Sequence, residues 1–386
     1  MKRSIDRILT THAGSLPRPD DWLAMMIEHE KSGKTDPQAY ATRNRQAVDE
    51  IVKKQIGLGI DVVDDGEQGK PSFVTYVHQR LGGFEPAGPR GSPWAGSREV
   101  KSFPEYYEAM ARAGGGPGAA IQMVCTGPIT YKGQSLLQND IDNFKAALEG
   151  ASVEDAFIPA ISPTNIEEWQ KNAYYKSQEE YLYAIADAMH VEYKAIVDAG
   201  FLVQIDDPRF ATYYAMSEVS LEACRKWAEI RVEALNHALK GIPEDRVRFH
   251  TCYSINMGPR VHDMELKDII DIMLKIRAGA YSFETANPRH EHEWRVWETA
   301  RLPQGKIIIP GVISHTTMLV EHPELIAQWL VRFAKIVGRE NVIGGSDCGF
   351  ATFATSKEIH PSIVWAKLGA LAEGARLATK ELWGHA

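Results

Sequence analysis

Four residues with metal-binding side chains each lie at or just after the end of a short apolar run. The residues are His250, Cys252, Glu284 and Cys348, and the runs VRFHTC, AYSFE and VIGGSD have the composition of β-strands. Two thiols, an imidazole and a carboxylate are a sufficient ligand set for zinc. The carboxylate oxygen is a hard ligand that thiols outcompete, so such a site can bind and activate an incoming thiol. The four residues therefore predict a zinc site that takes part in chemistry.

Eight strand-like runs are spread along the chain, with helical patterns between them. Most of the runs are continuously apolar, which is typical of strands buried on both faces of a parallel sheet. The clearest helical patterns cover 43–59, 177–200 and 266–280, and several helical patterns end in glycine just before the next strand. The strand-like runs cover 8–12, 60–65, 120–125, 201–206, 247–252, 280–284, 306–312 and 341–346.

This alternation predicts an α/β protein, and the count of eight strands favours a (β/α)8 TIM barrel. A doubly wound open sheet is the alternative, but the chain lacks the GxGxxG turn that such sheets often carry. Residues 82–118 and 131–175 are longer than ordinary connections, and they predict long βα-loops that build a substrate site. Because no linker separates two domains, residues 1–386 are expected to form a single catalytic barrel.

Composition narrows the functional classes. The chain of 386 residues has a formal net charge of -8 and no long basic run, which argues against nucleic-acid binding. No apolar stretch approaches the roughly 20 residues needed to cross a membrane, and the N-terminus lacks the apolar core of a signal peptide. We therefore expect a cytoplasmic protein.

Four cysteines do not suggest a disulfide framework, and Cys125 and Cys224 are expected to be buried core thiols.

The ends of the predicted strands carry polar or reactive groups in an order that resembles the catalytic barrel of cobalamin-independent methionine synthase. The resemblance covers nearly the whole chain, and the ordered set is specific although each segment alone is weak. The chain looks like a single-barrel member of a superfamily that also includes epoxyalkane:coenzyme M transferases. The matching segments are Thr11-His12-Ala13-Gly14-Ser15, Asp65-Gly66-Glu67, Thr126-Gly127-Pro128, Gln204-Ile205-Asp206-Asp207-Pro208, His250-Thr251-Cys252, Glu284-Thr285, 311–315 and Asp347-Cys348-Gly349.

The resemblance implies a role for each matching residue at the metal. His250, Cys252, Glu284 and Cys348 would hold Zn2+. The substrate thiol would join the ion as a thiolate in place of Glu284, and the ion would keep it nucleophilic at neutral pH. His315 matches the histidine that would donate a proton to the leaving group.

The resemblance also implies that the substrate is an amino-acid thiol. Ser15 would bind its carboxylate, whereas Glu67 and Asp206 would pair with its ammonium group. The expected reaction is methyl transfer to homocysteine, from methyltetrahydrofolate or another methyl donor, to form methionine. In the segment where the synthase carries a tryptophan-containing sequence associated with folate, this chain has Tyr131-Lys132-Gly133. The identity of the donor therefore stays open, as does the formation of a homo-oligomer.

Other functions use the same ligand set. The metal could activate another thiol, such as coenzyme M, for attack on an epoxide, but the amine-free sulfonate would then face Glu67 and Asp206. A demethylase that transfers a methyl group from a small compound to a thiol is a further alternative. A metal reservoir would need no acid such as His315. A zinc hydrolase is less consistent with the sequence, because two thiolate ligands make the metal less acidic than three histidines do.

The segment His290-Glu291-His292-Glu293 is a second group of potential ligands. It lacks the HExxH spacing of zinc peptidases, and two histidines at this separation would not share a helix face. We expect these residues to be solvated or to support other residues, and not to bind the metal.

Overall fold

A computed structural model describes residues 1–92, 94–112, 121–254, 258–355 and 359–384 of the chain. The described residues contain eleven strands, most of them short and buried. In chain order the strands are β1 Leu9–Thr10, β2 Val62–Asp64, β3 Leu81–Pro89, β4 Ile121–Tyr131, β5 Asp155–Ile161, β6 Lys171–Asn172, β7 Leu202–Asp206, β8 Val247–His250, β9 Ala280–Glu284, β10 Ile307–Gly311 and β11 Ile343–Gly344.

Helices connect most of these strands, and several begin with proline after a side-chain cap, a common start for a helix. The described α-helices are α1 Asp20–Ser32, α2 Pro37–Gly57, α3 Val77–Arg80, α4 Arg98–Ser102, α5 Pro104–Arg112, α6 Gln134–Ala147, α7 Pro163–Trp169, α8 Gln178–Asp198, α9 Pro208–Met216, α10 Leu221–Ala238, α11 Ile270–Met273, α12 Val296–Thr299, α13 Pro323–Val337 and α14 Pro361–Trp383. The 3-10 helices are Glu244–Arg246, Leu266–Asp268, Glu291–Arg295 and Arg339–Asn341.

Six strands form one parallel sheet in the order β10-β9-β8-β7-β5-β2. Their side chains are buried almost throughout, as expected for a parallel sheet covered on both faces. A separate parallel pair joins β1 to β11. The prediction of an α/β protein with buried parallel strands is therefore confirmed.

Further backbone contacts lie between the edges of the six-stranded sheet and the β1–β11 pair. Isolated bridges join Ile308 to Val342 and Gly311 to Gly345, next to β11. On the other side, the Asp61 amide donates to the Thr10 carbonyl at 3.2 Å, just before β2. Hydrogen bonds therefore continue from β10 through β11 and β1 to the segment that enters β2.

The run at 120–125 is not a strand of the parallel sheet, and this prediction was wrong. Its described part belongs to β4, which pairs antiparallel with β3 in a three-stranded sheet that also contains β6. The missing parallel strand is β5, which lies within the predicted loop 131–175. Pro159 weakened the strand signal of β5, since proline lacks an amide hydrogen. β2 pairs only with Asp155 to Phe157, so Pro159 lies beyond the ladder that would need its amide.

The two long connections contain regular structure. The described part of 82–118 holds most of β3 together with α4 and α5, whereas 93 and 113–118 lie outside the described residues. The stretch 131–175 holds α6, β5, α7 and β6. The helices expected at 43–59 and 177–200 are confirmed as α2 and α8. The helix expected over 266–280 is wrong, because a 3-10 turn and the short α11 occupy the first half of this range and β9 begins at its end.

The largest hydrophobic cluster extends along the chain from Ile8 to Ala378 and combines side chains of strands and helices. α14 joins the first part of the chain to this core, since Thr379 Oγ1 accepts the amide of Ile8 at 3.0 Å. Cys125 and Cys224 are buried free thiols, as predicted. Among the described residues, no helix is long and apolar enough to cross a membrane.

Candidate active site

The carboxyl ends of the parallel strands carry most of the residues selected from the sequence. β7 ends at Asp206, β8 at His250 and β9 at Glu284. Asp206 pairs in register with His250, which in turn pairs with Ser282. These strand ends therefore lie side by side at one edge of the sheet, where α/β proteins of this kind bind ligands.

Three of the four predicted metal ligands form one buried cluster. One ligand atom from each of His250, Cys252 and Cys348 lies within 4.8 Å of the others. The two sulfur atoms are 3.1 Å apart, and both thiols are free. The contact with Cys348 and burial raise the pKa of Cys252 well above its ordinary value. A cation that binds between these sulfurs must therefore displace protons, as zinc does at cysteine sites.

His250 supplies a nitrogen that is available to a metal. Its Nδ1 lies 3.0 Å from the Ser282 hydroxyl, whereas its buried Nε2 has no hydrogen-bond partner among the described residues. Burial lowers the pKa of His250 to about 3, so the imidazole is neutral. When Nδ1 donates to Ser282, the lone pair lies on Nε2, the tautomer that a metal requires. An open imidazole nitrogen beside two free thiols is a donor set that fits zinc.

Glu284 lies beside this cluster in a second group with His315 and Asp347, whose ligand atoms are within 4.8 Å of one another. The Arg260 guanidinium pairs with Glu284 Oε2 at 2.8 Å, and the Tyr253 amide donates to Oε1 at 2.7 Å. Burial raises the pKa of the Glu284 carboxyl, but Arg260, His315 and His290 outweigh it, and the net shift is downward. Glu284 is therefore a buried carboxylate held next to the three-ligand cluster.

Asp347 of this second group and two residues that contact Glu284, Asn287 and Arg260, were not selected as site residues from the sequence. Asp347 accepts the amides of Thr285 and Ala286 at 2.7 and 2.9 Å, and thereby fixes the turn after β9. Burial and the charge of Glu284 raise the pKa of Asp347 to about 8. Asn287 donates to Glu284 Oε2 at 2.7 Å, and Arg260 forms an ion pair with the same carboxylate. The position of Asp347 next to the predicted ligand Cys348 could have marked it as a site residue. The irregular segment around Arg260 contains no sequence pattern that marks Arg260.

His315 follows β10 and is buried at the same edge of the sheet. Its Nε2 lies 3.1 Å from the Ser254 carbonyl, which can only accept a hydrogen bond, so Nε2 carries a proton. Its Nδ1 has no hydrogen-bond partner among the described residues. Burial lowers the pKa of His315 to about 4, so the ring is neutral at pH 7 and Nδ1 carries a lone pair. The site therefore contains a nitrogen that can exchange protons with a bound molecule.

The three predicted substrate-binding residues lie around the segment that follows β1. Ser15 is buried, and a Cβ at Gly349, the neighbour of Cys348, would collide with its Oγ. Only glycine at 349 therefore allows the loop that carries Cys348 to approach Ser15. A Cβ at Gly14 would lie 3.4 Å from Glu67 Oε1. The Gln204 side chain links this segment to Asp206, since its Nε2 donates to the Ala13 carbonyl and to Asp206 Oδ1.

Glu67 and Asp206 are two buried carboxylates that repel each other. Burial and the charge of Glu67 raise the pKa of Asp206 well above its ordinary value. Lys70 lies 3.7 Å from Glu67 but also donates to the Pro159 carbonyl at 2.6 Å. Glu67 has a φ of 53°, a left-handed conformation that is uncommon outside glycine and recurs at functional sites. A cation bound beside these carboxylates would relieve their repulsion.

His290 supports the site from behind and has no metal-binding geometry. Its two ring nitrogens contact Glu293 at 2.9 Å and Asp263 at 3.1 Å, and its ring stacks on Tyr253 at 3.7 Å. The Tyr253 amide is the one that donates to Glu284. His292 is exposed. The prediction that this segment does not supply metal ligands stays a prediction, in agreement with these contacts.

His290 predicts a pH dependence of stability. Burial lowers the pKa of His290, but hydrogen bonds to Asp263 and Glu293 outweigh it and raise the pKa to about 9. The contribution of the protonated His290 to the free energy of unfolding is fully present below the pKa of histidine in the unfolded chain, about 6.5. It is lost as pH rises through about 9, a difference of roughly 3 kcal/mol. Urea unfolding of the metal-free protein from pH 6 to 9.5 measures it. A His290→Asn variant should lose this part of the pH dependence, and an unchanged profile would contradict the assignment.

Comparison with known proteins gives a family match over most of the chain. The family model described as "Cobalamin-independent synthase, Catalytic domain" matches residues 8–158 and 160–366. A methionine synthase from Thermococcus kodakarensis is 25% identical over 379 residues, which are 97% of this chain and 94% of that protein. A methionine synthase from Saccharolobus solfataricus is 26% identical over 378 residues, with 97% and 95% covered.

A solved structure has the same fold. The B12-independent methionine synthase from Shewanella sp. W3-18-1, in complex with selenomethionine, superposes with a TM-score of 0.74 at 22% identity. The superposition covers 98% of this chain and 99% of that chain. The chain therefore has a known fold.

Proposed function

Because the chain belongs to the cobalamin-independent synthase catalytic-domain family, we propose that it transfers a methyl group to the thiol of homocysteine and forms methionine. The family recognised from the strand ends is thus the correct one. The observation that carries the proposal is the juxtaposition of two free thiols and an open imidazole nitrogen with the Glu284–His315 group. Relatives named methionine synthase, matched over nearly their whole length, support the same reaction.

We assign His250, Cys252 and Cys348 as zinc ligands, with Glu284 as the exchangeable fourth ligand. When bound, the ion lowers the pKa of a thiol ligand, so that a thiolate nucleophile is present at neutral pH. His250 is held for this role by its contact with Ser282, which orients the ring. Glu284 is available next to the cluster because Arg260 and the Tyr253 amide fix its carboxylate there.

The remaining residues bind the substrate and handle the proton. Glu67 and Asp206 pair with the ammonium group of homocysteine, and Ser15 binds its carboxylate beside Gly349. In the transfer, the sulfur forms a bond to the methyl carbon while the bond from that carbon to the donor breaks. The electron pair stays on the leaving atom, which takes a proton. We assign His315 as the donor of this proton. Its ring is neutral at pH 7, so Nδ1, which has no hydrogen-bond partner among the described residues, first takes up a proton, such as the one that the thiol releases, and then donates it.

Coenzyme M is a poorer candidate for the thiol. Coenzyme M has no ammonium group that could pair with Glu67 and Asp206. Its sulfonate would be repelled by these buried carboxylates. The methyl donor stays open between methyltetrahydrofolate and another methylated compound. Tyr131, in the segment that departs from the synthase family, binds Glu192 through its hydroxyl at 2.8 Å.

We also infer that the eight parallel strands close into a (β/α)8 barrel and that residues 1–386 form one domain. The bridges from β10 to the segment around β11, the β1–β11 pair and the contact between Asp61 and Thr10 support closure. The largest hydrophobic cluster, which extends along the chain from Ile8 to Ala378, supports one domain. A cytoplasmic location stays a prediction, as does the oligomeric state.

Calorimetry with zinc-loaded and metal-free protein tests the proposed function. We expect homocysteine to bind the zinc-loaded protein, with a heat that varies with the ionisation enthalpy of the buffer because the thiol releases a proton. The metal-free protein should bind homocysteine much more weakly, since the sulfur would lack its ligand. Binding of coenzyme M alone would favour the epoxide reaction, and binding of neither thiol would contradict a thiol-activating site.

A further inference from the structure

Arg260 lies in an irregular segment after β8 and has no counterpart in the strand-end pattern. It is buried, with 4% of its surface exposed, and its φ of 56° is in the left-handed region. A non-glycine residue in this conformation is strained unless the surroundings hold it. Its guanidinium contacts the candidate fourth ligand, Glu284, at 2.8 Å. A buried cation that touches a candidate metal ligand needs an explanation beyond packing.

The contacts of Glu284 define a resting place for its carboxylate on the side of Arg260. Oε2 accepts from Arg260 Nη1 at 2.8 Å and from Asn287 Nδ2 at 2.7 Å. Oε1 accepts the Tyr253 amide at 2.7 Å. Three donors, one of them charged, stabilise an ionised carboxylate without any metal. Arg260 and a metal ion therefore compete for the same negative charge.

The same guanidinium also joins Glu284 to His315. Arg260 Nη2 donates to the Ser254 carbonyl at 2.5 Å, and His315 Nε2 lies 3.1 Å from that oxygen. Ser254 is another residue with a positive φ, 67°. Arg260 is thus connected through Ser254 to the proton-transfer residue and directly to the exchangeable ligand.

Glu99 holds Arg260 in place from a different part of the chain. It lies in α4, within the long connection between β3 and β4, and its side chain is fully buried. Glu99 Oε2 accepts the Arg260 amide at 3.1 Å, and Oε1 accepts the His262 amide at 3.0 Å. The connection between β3 and β4 therefore holds the strained backbone at Arg260 through the two contacts of Glu99.

We propose that Arg260 is a positioning residue that holds the Glu284 carboxylate when it leaves the metal, and so favours its replacement by the substrate thiol. This inference rests on the proposed function, since it concerns ligand exchange at the same site. An ion pair that is made only when Glu284 is off the metal lowers the free energy of that state. Binding of Glu284 to the metal would give up this pair, so Arg260 would weaken Glu284 as a ligand and strengthen thiol binding.

The inference predicts opposite signs for two affinities. In an Arg260→Gln variant, Glu284 keeps its charge but loses its cationic partner, so it becomes the better ligand of a bound metal. Zinc affinity in the absence of thiol should stay equal or rise, whereas homocysteine affinity of the zinc-loaded protein should fall about 10- to 100-fold, the range for a lost hydrogen bond to a charged group. A residue that only stabilised the fold would lower both affinities together.

Chelator competition measures zinc affinity, and calorimetry measures homocysteine binding to the zinc-loaded protein. The cobalt-loaded protein adds a spectroscopic reading, because exchange of an oxygen ligand for sulfur strengthens the thiolate-to-cobalt charge-transfer band. Arg260→Gln should need a higher homocysteine concentration for this change, and Arg260→Lys, which keeps the cation, should recover part of the loss. Arg231→Gln is the matched control, since it breaks a buried pair with Glu167 in another part of the chain.

Parallel loss of zinc and homocysteine affinity in Arg260→Gln, or unchanged homocysteine affinity, would overturn the inference. If Arg260→Gln does not fold, Glu99→Gln gives a second test, since it weakens the anchor of Arg260 and should lower homocysteine affinity without lowering zinc affinity. Failure of the proposed function is distinguishable, because the wild-type protein would then show no cobalt-band change with homocysteine. The inference fails by itself when the wild type responds to homocysteine and the variants respond equally.

Discussion

Replacing Cys348 by serine is expected to remove bound zinc and methyl transfer together. Cys348 is one of two sulfurs that lie 3.1 Å apart, and a hydroxyl is a far weaker zinc ligand than a thiolate. If four ligands share the roughly 10–16 kcal/mol of zinc binding equally, the loss of one costs about 2.5–4 kcal/mol, which is roughly a 70- to 900-fold drop in affinity. Metal content after dialysis and a chelator competition measure this drop.

Cys224→Ser is the matched control for this experiment. Cys224 is an equally buried free thiol, but it lies in α10 within the hydrophobic core. We expect Cys224→Ser to keep stoichiometric zinc and wild-type methionine formation, apart from a modest loss of stability. A Cys348→Ser protein that retains zinc with wild-type affinity would show that the metal is held elsewhere. Retained zinc with lost turnover would place Cys348 in the chemistry but not in the ligand set.

Most strands of the parallel sheet could be predicted because their residues are apolar on both faces. β9 agrees with its predicted range at both ends, and β7 and β10 agree to within one residue. β5 was missed because Pro159 interrupts its apolar pattern. The start of β4 was counted as a strand of the parallel sheet instead, because its residues are equally apolar. Composition does not distinguish a strand in the parallel sheet from one in a protruding antiparallel hairpin, since that difference depends on partners distant in the chain.

For the candidate site, too, some residues could be predicted from the sequence and others could not. The residues at strand ends could be selected because position in a parallel sheet determines where they lie, whatever the loops do. Arg260 and Asn287 could not, because their roles depend on the path of irregular segments that carry no periodic signal. The contacts that hold Glu284, from Arg260 and from the Tyr253 amide, could not be predicted either. The sequence therefore identifies candidate ligands but not the groups that hold each ligand in place.

Replacing His315 by asparagine is expected to abolish turnover while zinc and thiol binding remain. His315 is not in the His250–Cys252–Cys348 cluster, so its loss leaves these three of the four proposed ligands in place. An asparagine amide reaches only the position of the ring Nδ1, so this variant keeps a polar group there but loses the contact that His315 Nε2 makes with the Ser254 carbonyl at 3.1 Å. Asparagine also cannot take up a proton and pass it on, as His315 Nδ1 can. General acid catalysis contributes roughly 100- to 10,000-fold to such reactions, so kcat should fall by that range.

The measurement is a comparison of kcat, the Michaelis constant for homocysteine and zinc affinity in the two proteins. We expect a large fall in kcat with little change in the other two quantities, because the proton is needed only as the leaving group departs. His190→Asn serves as the control, since His190 contacts only the Ala238 carbonyl among its described hydrogen bonds and lies on α8, away from the strand ends. Because burial lowers the pKa of His315 to about 4, the ring is neutral at pH 7 and must gain a proton in each cycle before it donates one. If His315→Asn turns over at the wild-type rate, the proton comes from water or from the methyl donor itself, and the buried open nitrogen of His315 has another use.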